Sequence, residues 1–290
     1  MTMTPEEGMT KVVMGFMNEL QEGQALVTAT WEDAKHNDDS KLHKKGDTHL
    51  TEEKKRQILG ALPEWQREMR SKGIPLMGSG LVWPISEEDI KTDPVDIKSW
   101  WPRVCGIDFG SDHPFAGVWL AWDRDLDIVY LYDCFRQRRK TISENAAEIR
   151  RRDQWVPVIW PHDGNQNDPK SSNTYAELYR QEGVNMWWEC FSNPPLAGQK
   201  KGDLGVDAGL DEIFERMVTG RFKVFNTLPD WFEEFRMYHR KSGSDGSSKV
   251  VAIKDDLMSA TRYACMSLRH ARTHSMDMGK KLTYSTKGIV

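Results

Sequence analysis

Three apolar segments follow one another between residues 103 and 137, and two short turns separate them. The segments VCGIDFG, FAGVWLAWD and DIVYLYDCFR have the length and the β-branched and aromatic content of strands. Strands joined by tight turns pair antiparallel, so this region predicts a three-stranded meander. The first strand carries one charged side chain, Asp108. A charge among apolar neighbours is costly unless it is paired or binds a metal.

Helices and strands alternate after the meander. Thr141 and Glu144 have the spacing of a capping box that opens a helix, and VPVIWPHDG has the continuous apolar character of a buried parallel strand. Further helices are predicted over 174–182, 206–219, 228–239 and 255–272, and further strands at VNMWWEC, RFKVF and KVVAI. Three antiparallel strands followed by parallel strands and flanking helices predict an α/β fold with the order of a ribonuclease H-like mixed sheet.

Acidic residues stand at the ends of several of these elements. Asp108 ends the first strand, Asp163 ends the fourth, and Asp255 and Asp256 open the last helix. In a ribonuclease H-like sheet the first and fourth strands are neighbours, and the last helix packs across them. We therefore expect these carboxylates to converge on one point.

The phase of the last helix favours Asp256 over Asp255 as the residue that points at the site. Asp256 shares a ridge with Ala260 and Ala264 at the edge of the apolar stripe. Asp255 is either a helix N-cap or a second ligand. Asp112, in the turn after Asp108, is either an additional metal ligand or a residue that stabilises the turn.

Crowded carboxylates repel one another unless cations neutralise them. Hard oxygen ligands suit Mg²⁺ or Mn²⁺, and two such ions about 3.5–4 Å apart clamp a phosphodiester for hydrolysis. The acidic residues thus predict a two-metal phosphodiesterase site. The alternative is that they are separate helix caps and surface carboxylates.

Several motifs, in order, resemble the nuclease domain of large terminase subunits of tailed bacteriophages. They are GIDFG, VIWPHDG, KDDLMSATRYA, LPDWFEEFRMYHR and the long segment KKGDLGVDAGLDEIFERMVTGRFKVF, within residues 103–270. The resemblance implies a ribonuclease H/RuvC-like fold and metal-dependent cutting of concatemeric double-stranded DNA. It also implies that Asp108, Asp163 and one of Asp255 or Asp256 bind metal.

The front of the chain resembles the end of a terminase ATPase domain, a P-loop-type α/β segment, in MTMTPEEGMTKVVMGFM and VTATWEDAKH. Thr2 and Thr4 would match the motif that couples hydrolysis to movement. No GxxxxGK[ST] loop occurs in the chain, so we expect no ATP hydrolysis from it alone. The resulting division is an ATPase remnant (1–92), a linker (93–102), a nuclease domain (103–272) and a flexible tail (273–290).

Charge decides where DNA could bind. The net charge is −4, which excludes a uniformly basic DNA-binding protein, so contact must come from local patches. The best placed patch adjoins the last helix and consists of Arg236, Arg240, Lys241, Lys249 and Lys254.

The resemblance implies partners and a place of action. These are double-stranded DNA, a portal protein, a small terminase subunit and further copies in a motor, in the host cytoplasm at the procapsid portal. No apolar run reaches the roughly 18–20 residues of a membrane span. Three alternatives remain at this point: a RuvC-like resolvase or transposase nuclease, an actin-like or sugar-kinase-type ATPase, and a non-catalytic packaging-motor component.

Overall fold

The structure is a computed structural model of the 290-residue chain. It describes residues 80–274 except 111–112, 169–171, 196–197, 199–201, 243–247 and 253, and also residues 25, 27, 29–37, 39, 44–62, 67 and 70–73. Thr2, Thr4, Asp112 and the predicted tail beyond residue 274 lie outside the described residues.

Between residues 103 and 266, most of the described elements follow the predicted order. The strands are β1 (Lys91–Thr92), β2 (Arg103–Asp108), β3 (Phe115–Asp123), β4 (Ile128–Gln137), β5 (Val158–Ile159), β6 (Phe222–Phe225), β7 (Arg240–Ser242) and β8 (Ser248–Val250). The helices are α1 (Glu52–Gly60), α2 (Glu87–Ile90), α3 (Ile142–Arg151), α4 (Tyr175–Gln181), α5 (Val206–Val218), α6 (Pro229–Met237) and α7 (Asp256–Met266). None of these described helices has the length and apolarity that a bilayer crossing requires.

The main sheet has the strand order β1-β6-β4-β3-β2-β5. The pairs β2–β3 and β3–β4 are antiparallel, whereas β5 pairs parallel with β2 and β6 pairs parallel with β4. The predicted ribonuclease H-like mixed sheet is therefore confirmed. The capping box that opens α3 is also present, because Thr141 and Glu144 bond reciprocally.

Both faces of the sheet are covered, which explains why the strands are almost continuously apolar. Residues alternate along β2, so that Val104 packs on one face while Cys105 and Ile107 pack on the other. The first face carries side chains of α5, α6 and α7, and the second carries side chains of α3 and α4.

Gly106 brings α7 directly onto β2. A Cβ atom at this position would lie 2.3 Å from the carbonyl oxygen of Ala260 and 2.8 Å from the backbone nitrogen of Ala264. Only glycine permits this approach of strand and helix backbones. The contact lies two residues before Asp108 and one helical turn after Asp256, so it sets the separation of the two acidic elements.

Two predictions about individual elements were wrong. VNMWWEC forms no strand; Met186 makes only an isolated bridge with Val158. The predicted strand at KVVAI is present in part as β8, which pairs with β7 in a separate two-stranded ribbon. The last helix ends at Met266 and is followed by a 3₁₀ turn over Leu268–His270, short of the predicted residue 272.

The boundary predicted at residues 92 and 93 also does not match the fold. β1 belongs to the main sheet, where Lys91 pairs with Val224 and Thr92 with Phe225. Trp83 and Ile90 are buried in the core formed with α5, α6 and α7. Residues 81–92 therefore pack as part of the ribonuclease H-like body, and the predicted linker is a connection inside it.

Candidate nuclease site

Asp108 occupies the carboxyl end of β2, where the strand emerges beside the first turn of α7. Burial raises the pKa of its carboxyl to about 8, and the charges of Asp256, Asp255 and Asp163 add to the effect in that order. Arg262 acts in the opposite direction. The three other predicted acids therefore lie close enough to Asp108 for their charges to act on it.

Asp163 lies on the neighbouring element. It belongs to the 3₁₀ turn His162–Asn165, which begins three residues after β5 ends, and β5 pairs parallel with β2. Its side chain is exposed, and Oδ1 accepts a hydrogen bond from Gln166 Nε2 at 3.4 Å. The ends of two parallel neighbours therefore present Asp108 and Asp163 at the same edge of the sheet.

The two aspartates of the last helix differ in burial. Asp255 has the N-cap position of α7 but makes no side-chain cap hydrogen bond, so its carboxylate is not committed to capping. Burial, and then the charge of Asp256, raise the pKa of Asp255 to about 6. Asp256 is buried, and burial raises its pKa against the opposing charges of His113 and Arg136. Both remain candidate ligands.

The four carboxylates are electrostatic neighbours, yet no three acidic, histidine or cysteine side chains of the described residues already stand at metal-binding geometry. The donor set nevertheless fits a hard divalent cation, because it consists of carboxylate oxygens whose mutual repulsion and burial are unfavourable. Asp108, Asp163, Asp255 and Asp256 are the residues that would hold such an ion.

Two basic residues at this edge, His113 and Arg138, were not predicted as site residues. His113 and Arg138 are exposed, and their charges act on Asp256. The strand register is the signal that could have found them. Asp108 pairs with Ala116, and Ala116 pairs with Arg136, so the ends of β2 and β4 and the start of β3 meet at one edge.

Ion pairs already engage three of the five residues predicted to bind DNA. Arg236 Nη2 lies 3.0 Å from Glu87 Oε2, Arg240 Nη2 lies 2.7 Å from Asp207 Oδ1, and Lys254 Nζ lies 2.7 Å from Glu233 Oε1. A phosphate would compete with these carboxylates.

The remaining two, Lys241 and Lys249, are exposed and stand directly opposite each other in the β7–β8 ribbon. Like charges directly opposite across an antiparallel pair destabilise it. An anion between them would relieve this repulsion, which makes the ribbon the best supported part of the predicted DNA-binding patch.

The mixed sheet and the acidic edge define a ribonuclease H-like domain of the type that carries carboxylates at the ends of its first and fourth strands and on its last helix. The family model described as the terminase RNase H-like domain matches residues 105–268. The chain belongs to this family, that of the large terminase subunits of tailed bacteriophages.

Individual relatives agree with this assignment. The terminase large subunit of Salmonella phage P22 is 36% identical over 272 residues, which are 94% of this chain and 50% of that protein. The terminase large subunit of Enterobacteria phage LP7 is 35% identical over 266 residues, which are 92% of this chain and 51% of that protein. The chain thus spans about half the length of the curated relatives it matches.

A solved structure shows the same fold. The nuclease domain of the P22 large terminase superposes with a TM-score of 0.59 and 35% identity, over 67% of this chain and 95% of that domain. Family membership decides against the resolvase, transposase and actin-like ATPase alternatives.

Proposed function

We propose that this chain is a divalent-metal-dependent DNA endonuclease that cuts concatemeric double-stranded DNA during phage genome packaging. One observation carries the proposal: Asp108, at the end of β2, has a pKa raised to about 8, first by burial and then by the charges of three carboxylates from two further elements, Asp256, Asp255 and Asp163. Membership of the terminase family and the likeness to a terminase nuclease domain support it.

Two groups of residues have different proposed roles: one binds metal ions and the other attracts DNA. Asp108, Asp163, Asp256 and Asp255 would hold two Mg²⁺ or Mn²⁺ ions, which supply charge neutralisation and an activated water when bound. Asp108 is fixed by the ladder with β3, and Asp256 by the packing of α7 on β2. Arg138 places positive charge beside the carboxylates, where a DNA phosphate would approach.

The metal requirement gives the first test. We expect the chain to nick supercoiled plasmid with Mn²⁺ or Mg²⁺ and to leave it intact with EDTA, because the clustered carboxylates need cations to approach a phosphate. Conversion to open-circular and linear forms on a gel measures this. Equal cutting with EDTA would contradict the two-metal proposal, and no cutting under any condition would favour the non-catalytic packaging component.

The β7–β8 ribbon gives the second test. The double substitution Lys241→Ala/Lys249→Ala is expected to weaken binding of duplex DNA by about tenfold and to reduce the slope of log affinity against log salt by about two, one for each lost phosphate contact. Fluorescence anisotropy at several salt concentrations measures both quantities. The slope should not depend on the DNA sequence.

A charge-matched control is Lys98→Ala/Arg124→Ala, which removes two positive charges at the opposite edge of the sheet. Lys98 precedes β2, and Arg124 lies in the turn after β3. If both double variants changed the affinity and the salt slope equally, the ribbon would have no special part in binding.

The wider setting follows from the relatives and is proposed on that basis. The portal protein, a small terminase subunit and further copies of the large subunit would be partners, and the host cytoplasm at the procapsid portal would be the place of action. The ATP-driven step would require the phosphate-binding loop that this sequence lacks.

A further inference from the structure

Two consecutive glutamates in the middle of α6, Glu233 and Glu234, bind the residues on either side of Asp255 and Asp256. Glu234 is completely buried, and its Oε2 accepts a hydrogen bond from the backbone N–H of Leu257 at 2.7 Å. Glu233 Oε1 accepts a hydrogen bond from Lys254 Nζ at 2.7 Å. The pair of glutamates therefore brackets the pair of aspartates.

Arg136 fastens both glutamates to the central sheet. Arg136 is the penultimate residue of β4. Its Nη1 donates a hydrogen bond to Glu234 Oε1 at 2.8 Å, and its Nη2 donates one to Glu233. The ladder continues from Arg136 through Ala116 to Asp108. One guanidinium thus connects β4, α6 and the first turn of α7, on which two of the four carboxylates stand.

The hydrogen bond that the backbone N–H of Leu257 donates to Glu234 satisfies one of the unpaired donors at the start of α7. The first backbone N–H groups of a helix lack intrahelical acceptors, and the N-cap side chain usually supplies one. Asp255 has the N-cap position of α7 and supplies none, whereas Glu234 reaches the second residue of α7 from a different helix. The capping of α7 is therefore external.

We propose that Glu234, held by Arg136, is a positioning residue of the nuclease site: it caps α7 from outside and thereby leaves both Asp255 and Asp256 available to bind metal. This inference rests on the proposed function. Glu234 acts through the helix and touches neither substrate nor ion. Residues that orient metal ligands in this way commonly matter about 10–100-fold for metal affinity or activity.

The test uses the full chain with Glu234→Ala. In the metal-free protein, the amides of the first turn of α7 are expected to exchange with solvent about tenfold faster, because Leu257 loses its acceptor. In plasmid nicking, the Mn²⁺ concentration for half-maximal rate is expected to rise about tenfold. Hydrogen exchange does not depend on cutting, so failure of the proposed function and failure of this inference are distinguishable.

A second variant separates positioning from general stability. In Glu234→Ala, the half-buried Arg136 loses one carboxylate partner, and the double variant Glu234→Ala/Arg136→Met removes the charge of Arg136 as well. The double variant is expected to recover unfolding temperature but to keep fast exchange in α7 and the raised Mn²⁺ requirement. It also remains informative if the single variant does not fold.

Glu212→Ala is the matched control, because it removes a glutamate whose ion pair is with Arg216 of the same helix, α5, and not with the first turn of α7. In this variant, amide hydrogen exchange in α7 and the Mn²⁺ dependence of plasmid nicking are expected to equal those of the parent chain. The inference is overturned if Glu234→Ala leaves exchange in α7 unchanged, or if the double variant restores both the exchange rate and the Mn²⁺ requirement.

Discussion

Asp108→Asn is expected to abolish DNA cleavage while making the metal-free protein more stable. The substitution removes the negative charge toward which Asp256, Asp255 and Asp163 converge, and it changes the side-chain volume little. A nuclease without this ligand cannot neutralise the cluster with cations, so plasmid nicking should fall to background.

The gain in stability depends on pH, and its sign follows from the raised pKa. The folded protein binds the Asp108 proton more tightly than the unfolded chain does, because the pKa rises from 3.8 to about 8 on folding. This contribution to stability is complete below pH 4 and is lost as the pH rises toward 8. Asparagine has no such titration, so the stability of the variant should depend less on pH in that window.

Thermal unfolding in EDTA at pH 5 and pH 8 measures the effect. At pH 8 we expect the free energy of unfolding of Asp108→Asn to be about 1–3 kcal/mol larger than that of the parent chain. Each pKa unit corresponds to about 1.4 kcal/mol, and the gain is only part of the full value because asparagine is still a buried polar side chain. Mn²⁺ should then raise the unfolding temperature of the parent chain and not that of the variant.

Asp125→Asn makes the same chemical change at the opposite edge of the sheet, in the exposed turn between β3 and β4. It should cut and unfold like the parent chain. An Asp108→Asn protein that nicks plasmid at the parental rate, or that gains no stability at pH 8, would show that Asp108 is not the centre of a metal site.

Gly106→Ala is expected to impair folding and cutting together. The added Cβ would lie 2.3 Å from a backbone oxygen of α7, and neither strand nor helix backbone can turn aside as a flexible side chain can. We expect a loss of about 1–3 kcal/mol in unfolding free energy, the usual cost of overpacking. A displacement of α7 by about 1 Å would separate Asp256 from Asp108 and reduce cutting by about 100-fold.

Gly60→Ala is the control for this substitution. Gly60 ends α1, and a Cβ there would meet nothing within 4 Å, so alanine should be neutral or slightly stabilising. Chemical denaturation and nicking rates measure both variants. Parental stability and parental cutting by Gly106→Ala would mean that the tight strand–helix contact does not set the geometry of the site.

Local patterns in the sequence predict the central meander, the capping box at Thr141 and the acidic strand ends, because each of these features depends on residues that are close in the chain. The isolated bridge at Met186 shows the limit of such patterns. VNMWWEC has the composition of a strand, but strand formation also requires a partner backbone, and composition does not report one.

The features that the sequence did not predict depend on contacts between residues that are distant in the chain. Arg236 looks like part of a basic patch until Glu87, 149 residues earlier in the chain, is found beside it. Glu234 looks like an ordinary helical glutamate until Arg136 and Leu257 are seen to enclose it. In both cases the packing of helices and strands from different parts of the chain determines the hydrogen-bonding partner. The sequence of one segment therefore does not reveal it.

The two residues of β1 have a practical consequence for anyone who wishes to shorten this protein. They cover the outer side of β6, whose backbone donors and acceptors would otherwise invite another polypeptide to pair with it and aggregate. A fragment that starts at residue 103 would leave the outer side of β6 unpaired and would remove Trp83 and Ile90 from the core. A fragment that starts near residue 80 retains all of them and is the better choice for a soluble nuclease.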